Sequence, residues 1–280
     1  MFRHPGLLRM QPDLNKINIM GVINTTPDSF SDGGRFNSTR LALEHARRLI
    51  EEGADILDIG GESTRPGALA VSVDDEMQRT IPVIEAIRRF SSIPLSIDTS
   101  KAAIMRAAAD AGADIINDVW ALRQEGALEQ AASCGLIVCL MHMQGTPGSM
   151  QDKPQYRNVI AEVKDFLHQR IDSAKAAGIA QHKIWIDPGF GFGKTLQQNL
   201  NLLKDLSEFK QLGFPLLVGL SRKSMLGLIL DKPVDQRLYA SVSAAVISAL
   251  SGANIIRVHD VAETRDALAV VQAMQSNSLN

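Results

Sequence analysis

The sequence predicts an α/β fold, a single (β/α)8 TIM barrel with a short N-terminal extension, and three observations carry that prediction. A unit of helix, glycine and short apolar run recurs along the chain, eight such runs can be counted, and nearly every run ends in a polar or charged residue. Alternating strands and helices imply a parallel sheet, and eight of them favour a closed barrel over an open doubly wound sheet. With 280 residues, 45% of them apolar, the chain can bury a large core. Length alone allows two domains, but barrels of this size routinely form one. Residues 17–280 are therefore expected to be the barrel domain, with residues 1–16 covering one end.

The recurring unit is clearest in Gly53-Ala-Asp-Ile-Leu-Asp58, Gly112-Ala-Asp-Ile-Ile-Asn117 and Gly252-Ala-Asn-Ile-Ile-Arg257, with looser copies starting at Gly135 and Gly213. Glycine suits the left-handed position just past a helix, and such an apolar run suits a strand buried on both faces. In order, the predicted strands are 17–22, 56–59, 95–97, 115–116, 136–140, 184–186, 216–218 and 255–258. Between them, helical patterns cover 41–50, 160–177 and the Ala/Val/Ile/Leu-rich stretch 241–250. Asp74, Asp75 and Glu76 open another helix, because acidic residues favour the positive end of the dipole. No Pro/Ser-rich linker, charge block or low-complexity segment interrupts the domain.

Composition excludes several functional classes. Lys plus Arg number 29 against 31 Asp plus Glu, a net charge of -2. No nucleic-acid partner is expected, since neutralising backbone phosphates needs clustered positive charge. A small anion needs only a local cluster. No apolar stretch reaches membrane-spanning length, and residues 1–16 lack the continuous apolar core of a signal peptide. A cytoplasmic protein without membrane contact is expected. Cys134 and Cys139 flank an apolar run and are read as packed thiols rather than a disulfide or metal site.

In such barrels the active site lies at the carboxyl ends of the strands. The residues predicted there are Asn24, Asp58 with Gly60-Gly-Glu-Ser-Thr-Arg65, Asp98, Asn117 with Asp118, Met141 with His142, Asp187, Ser221-Arg-Lys223, and Arg257 with His259. So many converging polar groups would be costly to bury without a ligand. Asp98, Asn117 and Asp187 can line a pocket for a flat ring, because a carboxylate accepts two parallel N–H bonds from an amidine-like edge. Singly, Asp98 or Asn117 is more readily a helix cap or a loop tie; as a set with Asp187 they point to a ligand. Arg257, His259 and Lys223 bring positive charge to the same rim, and Arg257 and His259, two apart on a strand, point the same way. Asn24 can offer an oxygen to Mg²⁺, which keeps several waters and bridges substrate phosphates. Together these groups describe a diphosphate site.

His4, His45, His168 and His182 are read as tail, helix or loop positions without a role. Gly189-Phe-Gly-Phe-Gly-Lys-Thr195 imitates a phosphate-binding loop, but Pro188 holds the required first glycine position and Lys194 breaks the dinucleotide pattern. It is read as a flexible loop leaving the sixth strand.

These motifs together resemble those of dihydropteroate synthases. Met20-Gly-Val-Ile-Asn-Thr-Thr-Pro-Asp-Ser-Phe-Ser-Asp-Gly-Gly34 is similar to the family's first signature and Asp58-Ile-Gly-Gly-Glu-Ser-Thr-Arg-Pro-Gly67 to its second. Ser96-Ile-Asp-Thr-Ser-Lys101, Ile116-Asn-Asp118, Met141-His-Met-Gln144, Asp187-Pro-Gly-Phe-Gly-Phe-Gly193, Gly219-Leu-Ser-Arg-Lys-Ser224 and Ile256-Arg-Val-His-Asp260 follow in the family's order. The resemblance implies that a dihydropterin methyl diphosphate loses pyrophosphate to the amine of p-aminobenzoate; because an electron-rich pterin can support positive charge at its exocyclic carbon, a dissociative, SN1-like path is expected. It implies a pterin site of Asp98, Asn117, Asp187 and Lys223 with Met141 packing nearby. Mg²⁺ would sit on Asn24, and Asn24, Thr64, Arg257 and His259 would bind the diphosphate, with Lys223 counted among the catalytic groups. Phe30, Ser63, Thr64, Arg65, Pro66, Phe190 and Ser221 would surround the aminobenzoate. A homodimer and inhibition by sulfonamides are also implied. Thr25, Ala102 and Trp120 depart from the family pattern without removing a chemical group.

Three other readings compete. A methyltetrahydrofolate:corrinoid methyltransferase explains the ring-binding acids but not the anion apparatus of Asn24, Arg257 and His259. An aldolase would use Lys223 as a Schiff-base former, which needs a lowered pKa. A non-catalytic pterin-binding scaffold would keep the pocket without turnover.

Overall fold

A computed structural model describes residues 10–25, 34–63, 67–68, 70–146 and 148–276, apart from the side chains of 34–38 and 276. Eight strands appear where the apolar runs lie: β1 (Asn18–Asn24), β2 (Ile56–Gly60), β3 (Leu95–Asp98), β4 (Ile115–Asp118), β5 (Ile137–Met141), β6 (Ile184–Asp187), β7 (Leu217–Val218) and β8 (Ile255–Val258). All pairings are parallel, in the order β6-β5-β4-β3-β2-β1-β8-β7. The two ends of that order meet through Ile186 and Leu216, with the Ile186 amide donating to the Pro215 carbonyl at 2.9 Å. This seam is thin for a local reason. Pro215 has no N–H to give, and the Leu216 amide is taken by the Asn254 side chain at 3.0 Å.

Helices α1 (Gly34–Glu51), α2 (Val73–Arg88), α3 (Ala102–Ala111), α4 (Ala127–Cys134), α5 (Val159–Ala176) and α6 (Leu196–Lys204) follow β1 to β6. Between β7 and β8 lie α7 (Ser224–Leu230) and α8 (Leu238–Leu250); α9 (Val261–Ser276) follows β8. Local chemistry sets their ends. The Ser72 hydroxyl accepts from the Asp75 amide at 3.1 Å, and Asp74, Asp75 and Glu76 fill the first turn of α2. Asn158 caps α5, and Thr195 with Gln198 forms a reciprocal capping box on α6. Gly112 stops α3 at φ 110°, a conformation that a Cβ would strain.

Side chains alternate along a strand, and in-register residues of parallel neighbours share a face. One parity points outward to the helices and joins the main core, as do Ile19, Leu57, Ile97, Ile116, Leu140, Ile186 and Ile256. The other parity fills the barrel, where Met20, Ile56, Ile115, Cys139, Trp185, Leu217 and Ile255 form a separate cluster with Leu14 and Ile137 packed against it. Two residues further toward the carboxyl end, the same inward parity delivers Asp58, Asn117, Met141, Asp187, Gly219 and Arg257. On β3 it delivers Ser96 and then Asp98. The apolar layer is thus the floor on which the polar groups stand.

Both cysteines are free: Cys139 lies inside the barrel, where burial raises its thiol pKa well above the ordinary value, and Cys134 packs on the outer core. Among the described residues, no helix is long and apolar enough to cross a membrane.

Candidate active site

The groups predicted from β2, β3, β4, β6 and β8 do meet in one bowl. Arg257 links two of the carboxylates: its Nε donates to Asp58 Oδ2 at 2.6 Å and its Nη2 to Asp98 Oδ2 at 3.0 Å. Asn117 Nδ2 donates to the same Asp58 oxygen at 3.2 Å. The Arg257 Nη1 makes no hydrogen bond among the described residues, so the pairing leaves one guanidinium corner unspent. Inward positions Gly60 and Gly219 lie against Asp98 and Arg257, where an added Cβ would stand 3.5 and 3.7 Å from their Cβ atoms. The bowl is open there because these two positions carry no side chain.

Electrostatics sets the tone of the bowl. Burial, reinforced by the Asp58 charge and opposed by Arg257, pushes Asp98 up to about 7. Burial likewise raises Asp187 against the pull of Lys223, while its Oδ1 accepts from the Gly189 amide at 2.7 Å. Burial lowers Lys223 to about 8, with Asp187 opposing. Asp58 Oδ1, Ser96 Oγ and Trp185 Nε1, all on the inward parity, are buried polar atoms without a partner among the described residues. Such groups ask for a hydrogen-bonding occupant of the barrel mouth. A flat ring rich in N–H donors and acceptors meets that demand.

The capping role that could have explained Asn117 belongs instead to its neighbour. Asp118 accepts from Ser100 Oγ at 2.6 Å, from the Trp120 amide at 2.8 Å and from the Leu122 amide at 2.7 Å. Asn117 is thereby left to face inward.

The stretch after β6 corrects two expectations. It is not a flexible loop but a turn wrapped around a buried lysine. Lys194 is 3% exposed, its Nζ donates to Gly189 O at 2.7 Å and Phe192 O at 3.0 Å, and it lies 2.9 Å from His142 Nδ1. Burial and Lys194 hold the His142 pKa down to about 2. Gly189 is required, since a Cβ there would stand 1.8 Å from the His142 carbonyl oxygen. Phe190, expected against the aminobenzoate, is 0% exposed and belongs to the main hydrophobic core. Its backbone oxygen accepts from Lys223 Nζ. The aromatic side chain at the mouth is Phe192, half-buried against the cluster of Met141, Met143 and Met150, with Lys223 Nζ 4.8 Å from its ring centroid.

At the opposite rim Ser221 and His259 are in contact: Ser221 Oγ lies 3.0 Å from His259 Nδ1, and the His259 amide donates to the same oxygen at 3.2 Å. Arg222 and Asp260 brace the two loops through bonds of 3.1 and 2.5 Å. Asn24 ends β1 half-buried, beside Gly60 in register, and its carboxamide makes no hydrogen bond among the described residues. Thr25 explains its own departure from the family pattern, because its hydroxyl donates to Gly60 O at 3.0 Å. Trp120 packs on the methionine cluster with Arg123 5.3 Å from its ring. Ala102 begins α3, and nothing in the structure explains that choice. Ser63 is half-buried just beyond β2, while Phe30, Thr64, Arg65 and Pro66 lie outside the described residues. His45, read as having no role, is instead half-buried and bonds the Val22 carbonyl at 3.1 Å, tying α1 to β1.

Sequence reasoning placed Asp58 at the mouth without giving it a role, and passed over Phe192 and Lys194. Parity supports the placing of Asp58, two residues beyond the inward Ile56. The alternation in Phe190-Gly-Phe192 does not reveal which ring faces the core, and the lysine's burial follows only from the turn's three-dimensional wrap.

Comparison with known proteins agrees with this geometry. Residues 20–259 match the family described as pterin binding enzyme. The chain is 53% identical over 268 residues to the dihydropteroate synthase of Escherichia coli (strain K12), covering 96% of this chain and 95% of that one. The structure of the Yersinia pestis dihydropteroate synthase with a sulfonamide drug superposes with a TM-score of 0.91 at 52% identity, covering 94% of this chain and 96% of that one. That of the Xanthomonas albilineans enzyme in complex with 7,8-dihydropteroate gives 0.86 at 47% identity, covering 94% and 95%. The polar bowl on its apolar floor and these near full-length matches lead to one statement: the chain belongs to the pterin-binding enzyme family, among its dihydropteroate synthases.

Proposed function

We propose that this protein is a transferase of folate biosynthesis that condenses (7,8-dihydropterin-6-yl)methyl diphosphate with p-aminobenzoate to give 7,8-dihydropteroate and pyrophosphate. The observation that carries the reading is the bowl itself, where Asp58, Asp98, Asn117, Asp187, Lys223 and Arg257 converge. The ring lies on the floor, with Asp187, Asp98 and Asn117 on its N–H edges and Lys223 and Met141 beside it. Each charge-assisted hydrogen bond contributes roughly 1.5–3 kcal/mol. The diphosphate lies at the rim against Arg257, His259, Thr64 and Asn24. Ser221 receives the carboxylate of the aminobenzoate, under Phe30 and the segment of Ser63, Thr64, Arg65 and Pro66. Phe192 replaces Phe190 in that group.

The bond that breaks joins the pterin methylene carbon to the diphosphate oxygen, and its electron pair leaves with pyrophosphate. The bond that forms joins the same carbon to the aminobenzoate nitrogen, which then loses a proton. An aromatic amine is a modest nucleophile, so stabilising the departing charge matters most. Arg257 and His259 do this from the protein, and the electron-rich ring supports positive charge at the exocyclic carbon. The path is SN1-like and needs no covalent enzyme intermediate.

Among the described residues no three His, Cys, Asp or Glu side chains gather as a metal cage. Asn24, whose carboxamide oxygen makes no hydrogen bond among the described residues, fits a cation held chiefly by water and substrate phosphate, as Mg²⁺ usually is. When bound, Mg²⁺ supplies charge neutralisation to the leaving pyrophosphate.

A homodimer and a cytoplasmic setting are part of the same proposal. Leu228, Ile229, Tyr239, Leu250, Val270 and Met274 on α7, α8 and α9 are large apolar side chains left in solvent by one subunit, which supports pairing through these helices. Sedimentation tests the pairing.

The reaction is tested by following pyrophosphate and dihydropteroate with both substrates, with and without Mg²⁺. Equimolar products, lost on chelation, are expected. A binder that releases no pyrophosphate would be the scaffold, and methyl transfer to a corrinoid would restore the methyltransferase. Borohydride trapping of a carbonyl substrate on Lys223 would restore the aldolase.

A further inference from the structure

Ser221 and His259 serve different substrates in the proposed reaction, yet they share one hydroxyl hydrogen. A serine hydroxyl has a single proton to donate and two lone pairs to accept with. One lone pair of Ser221 Oγ takes the His259 amide at 3.2 Å. The remaining lone pair and the proton are what Ser221 can offer to His259 Nδ1, 3.0 Å away. The two loops cannot easily separate, because Arg222 and Asp260 pair across them and the Arg222 amide donates to Ser241 Oγ at 2.9 Å.

Two arrangements satisfy this geometry. In the first, Ser221 donates to a bare Nδ1, and His259 is neutral with its proton on Nε2. In the second, the Ser221 proton points to an anion, and Nδ1 keeps the contact only by donating a proton into the free lone pair. A diphosphate oxygen at Nε2 demands a donor there as well, so the ring then carries hydrogen on both nitrogens. The additional proton comes from solvent, and the anion stays ionised.

We propose that the carboxylate of p-aminobenzoate, on reaching Ser221, reverses the Ser221–His259 hydrogen bond and thereby charges His259 against the diphosphate. This rests on the reaction proposed above and deepens it. Among the described residues, the charged groups near His259 along the chain and in the bracing pair include Arg257 two residues earlier on β8, the Arg222–Asp260 pair, and Glu263 in the first turn of α9. Arg257 opposes the new charge, while Asp260 and the diphosphate favour it. The consequence is order in the chemistry: full neutralisation of the leaving group waits for the acceptor substrate. Pyrophosphate loss to water is suppressed until then.

The test is ¹⁵N NMR of imidazole-labelled protein, with the His259 ring assigned by His259→Gln. Pyrophosphate with Mg²⁺ is added first, then p-aminobenzoate, and binding of each is measured by calorimetry. The expected result is a bare Nδ1 with pyrophosphate alone and a protonated Nδ1 once aminobenzoate is bound. Ser221→Ala, at aminobenzoate concentrations that saturate it, should leave Nδ1 unchanged, and Ser221→Thr should restore the switch. Aminobenzoate that binds the unaltered protein without protonating Nδ1 overturns the coupling and leaves the reaction standing. Aminobenzoate that fails to bind at all overturns the reaction and the coupling with it. A switch that persists in Ser221→Ala shows that the hydroxyl is not the link.

Discussion

Asp98 is a side chain whose removal should make the free protein more stable while disabling it. It is 12% exposed at its side chain, and burial with the Asp58 charge raises its pKa from 3.8 to about 7. The folded state therefore binds a proton that the unfolded state has released over this window. Stability must fall as pH rises from about 4 to about 7, because there the native state holds more protons. Between 3.8 and about 7, at roughly 1.36 kcal/mol per pH unit, the cost of ionising Asp98 comes to about 4 kcal/mol. Asp98→Asn removes that cost and keeps an oxygen for the Arg257 Nη2. Urea unfolding of the two ligand-free proteins should show a gain of about 4 kcal/mol near pH 8, about 2 near pH 5 and none near pH 3. Turnover of the pterin diphosphate should fall by about 10- to 150-fold, the equivalent of one lost charge-assisted bond. A stability difference that is flat with pH, or a variant weaker than the parent near pH 8, would refute burial as the source of the shift.

Three further outcomes follow from the same bowl. Arg257→Met leaves Asp58 buried with one guanidinium bond gone, so urea unfolding near neutral pH should register a loss of about 3–5 kcal/mol, partly recovered by adding Asp58→Asn. Phe190→Ala should lower stability by about 3–5 kcal/mol without selectively raising the aminobenzoate KM, whereas Phe192→Ala should raise that KM with little change in melting; the reverse pattern would return Phe190 to the site. Lys223, lowered to about 8, loses its charge as pH rises through that value, so pterin diphosphate affinity by calorimetry should weaken there, and Lys223→Arg should remove the inflection.

Much of this was legible in the sequence because a barrel writes its two faces into alternate residues. The short apolar runs, five of them opened by a glycine, located all eight strands, and the polar residue after nearly every run located the mouth. The closing seam was less visible, since Pro215 and the Asn254 side chain shorten β7 to Leu217–Val218. Within the site, the ring-binding acids were legible as residue types at strand ends. Their partners were not: that Asp58 holds Arg257, across 199 positions of sequence, is a fact of closure and not of local pattern. The choice between Phe190 and Phe192 depends on the direction of a turn that Lys194 sets from inside.

The Asp58–Arg257 pair also shows why the bowl carries more charge than its ring-binding task requires. Replacing a buried ion pair by apolar side chains is often neutral or stabilising, so stability alone does not account for it. Asp58 has no exposure and one oxygen without a partner among the described residues, an arrangement that is unfavourable unless the arginine is held there for another purpose. What the pair fixes is direction. With Nε on Asp58 and Nη2 on Asp98, the guanidinium plane cannot rotate, and Nη1 is left aimed where neither carboxylate reaches. A donor already oriented needs no reorganisation when negative charge develops on a leaving group, which is where fixed dipoles and charges act most strongly. Asp58→Asn is the discriminating change: it keeps the oxygen that accepts from Nε but removes the charge. On this reasoning it should lower kcat more than it raises the pterin KM.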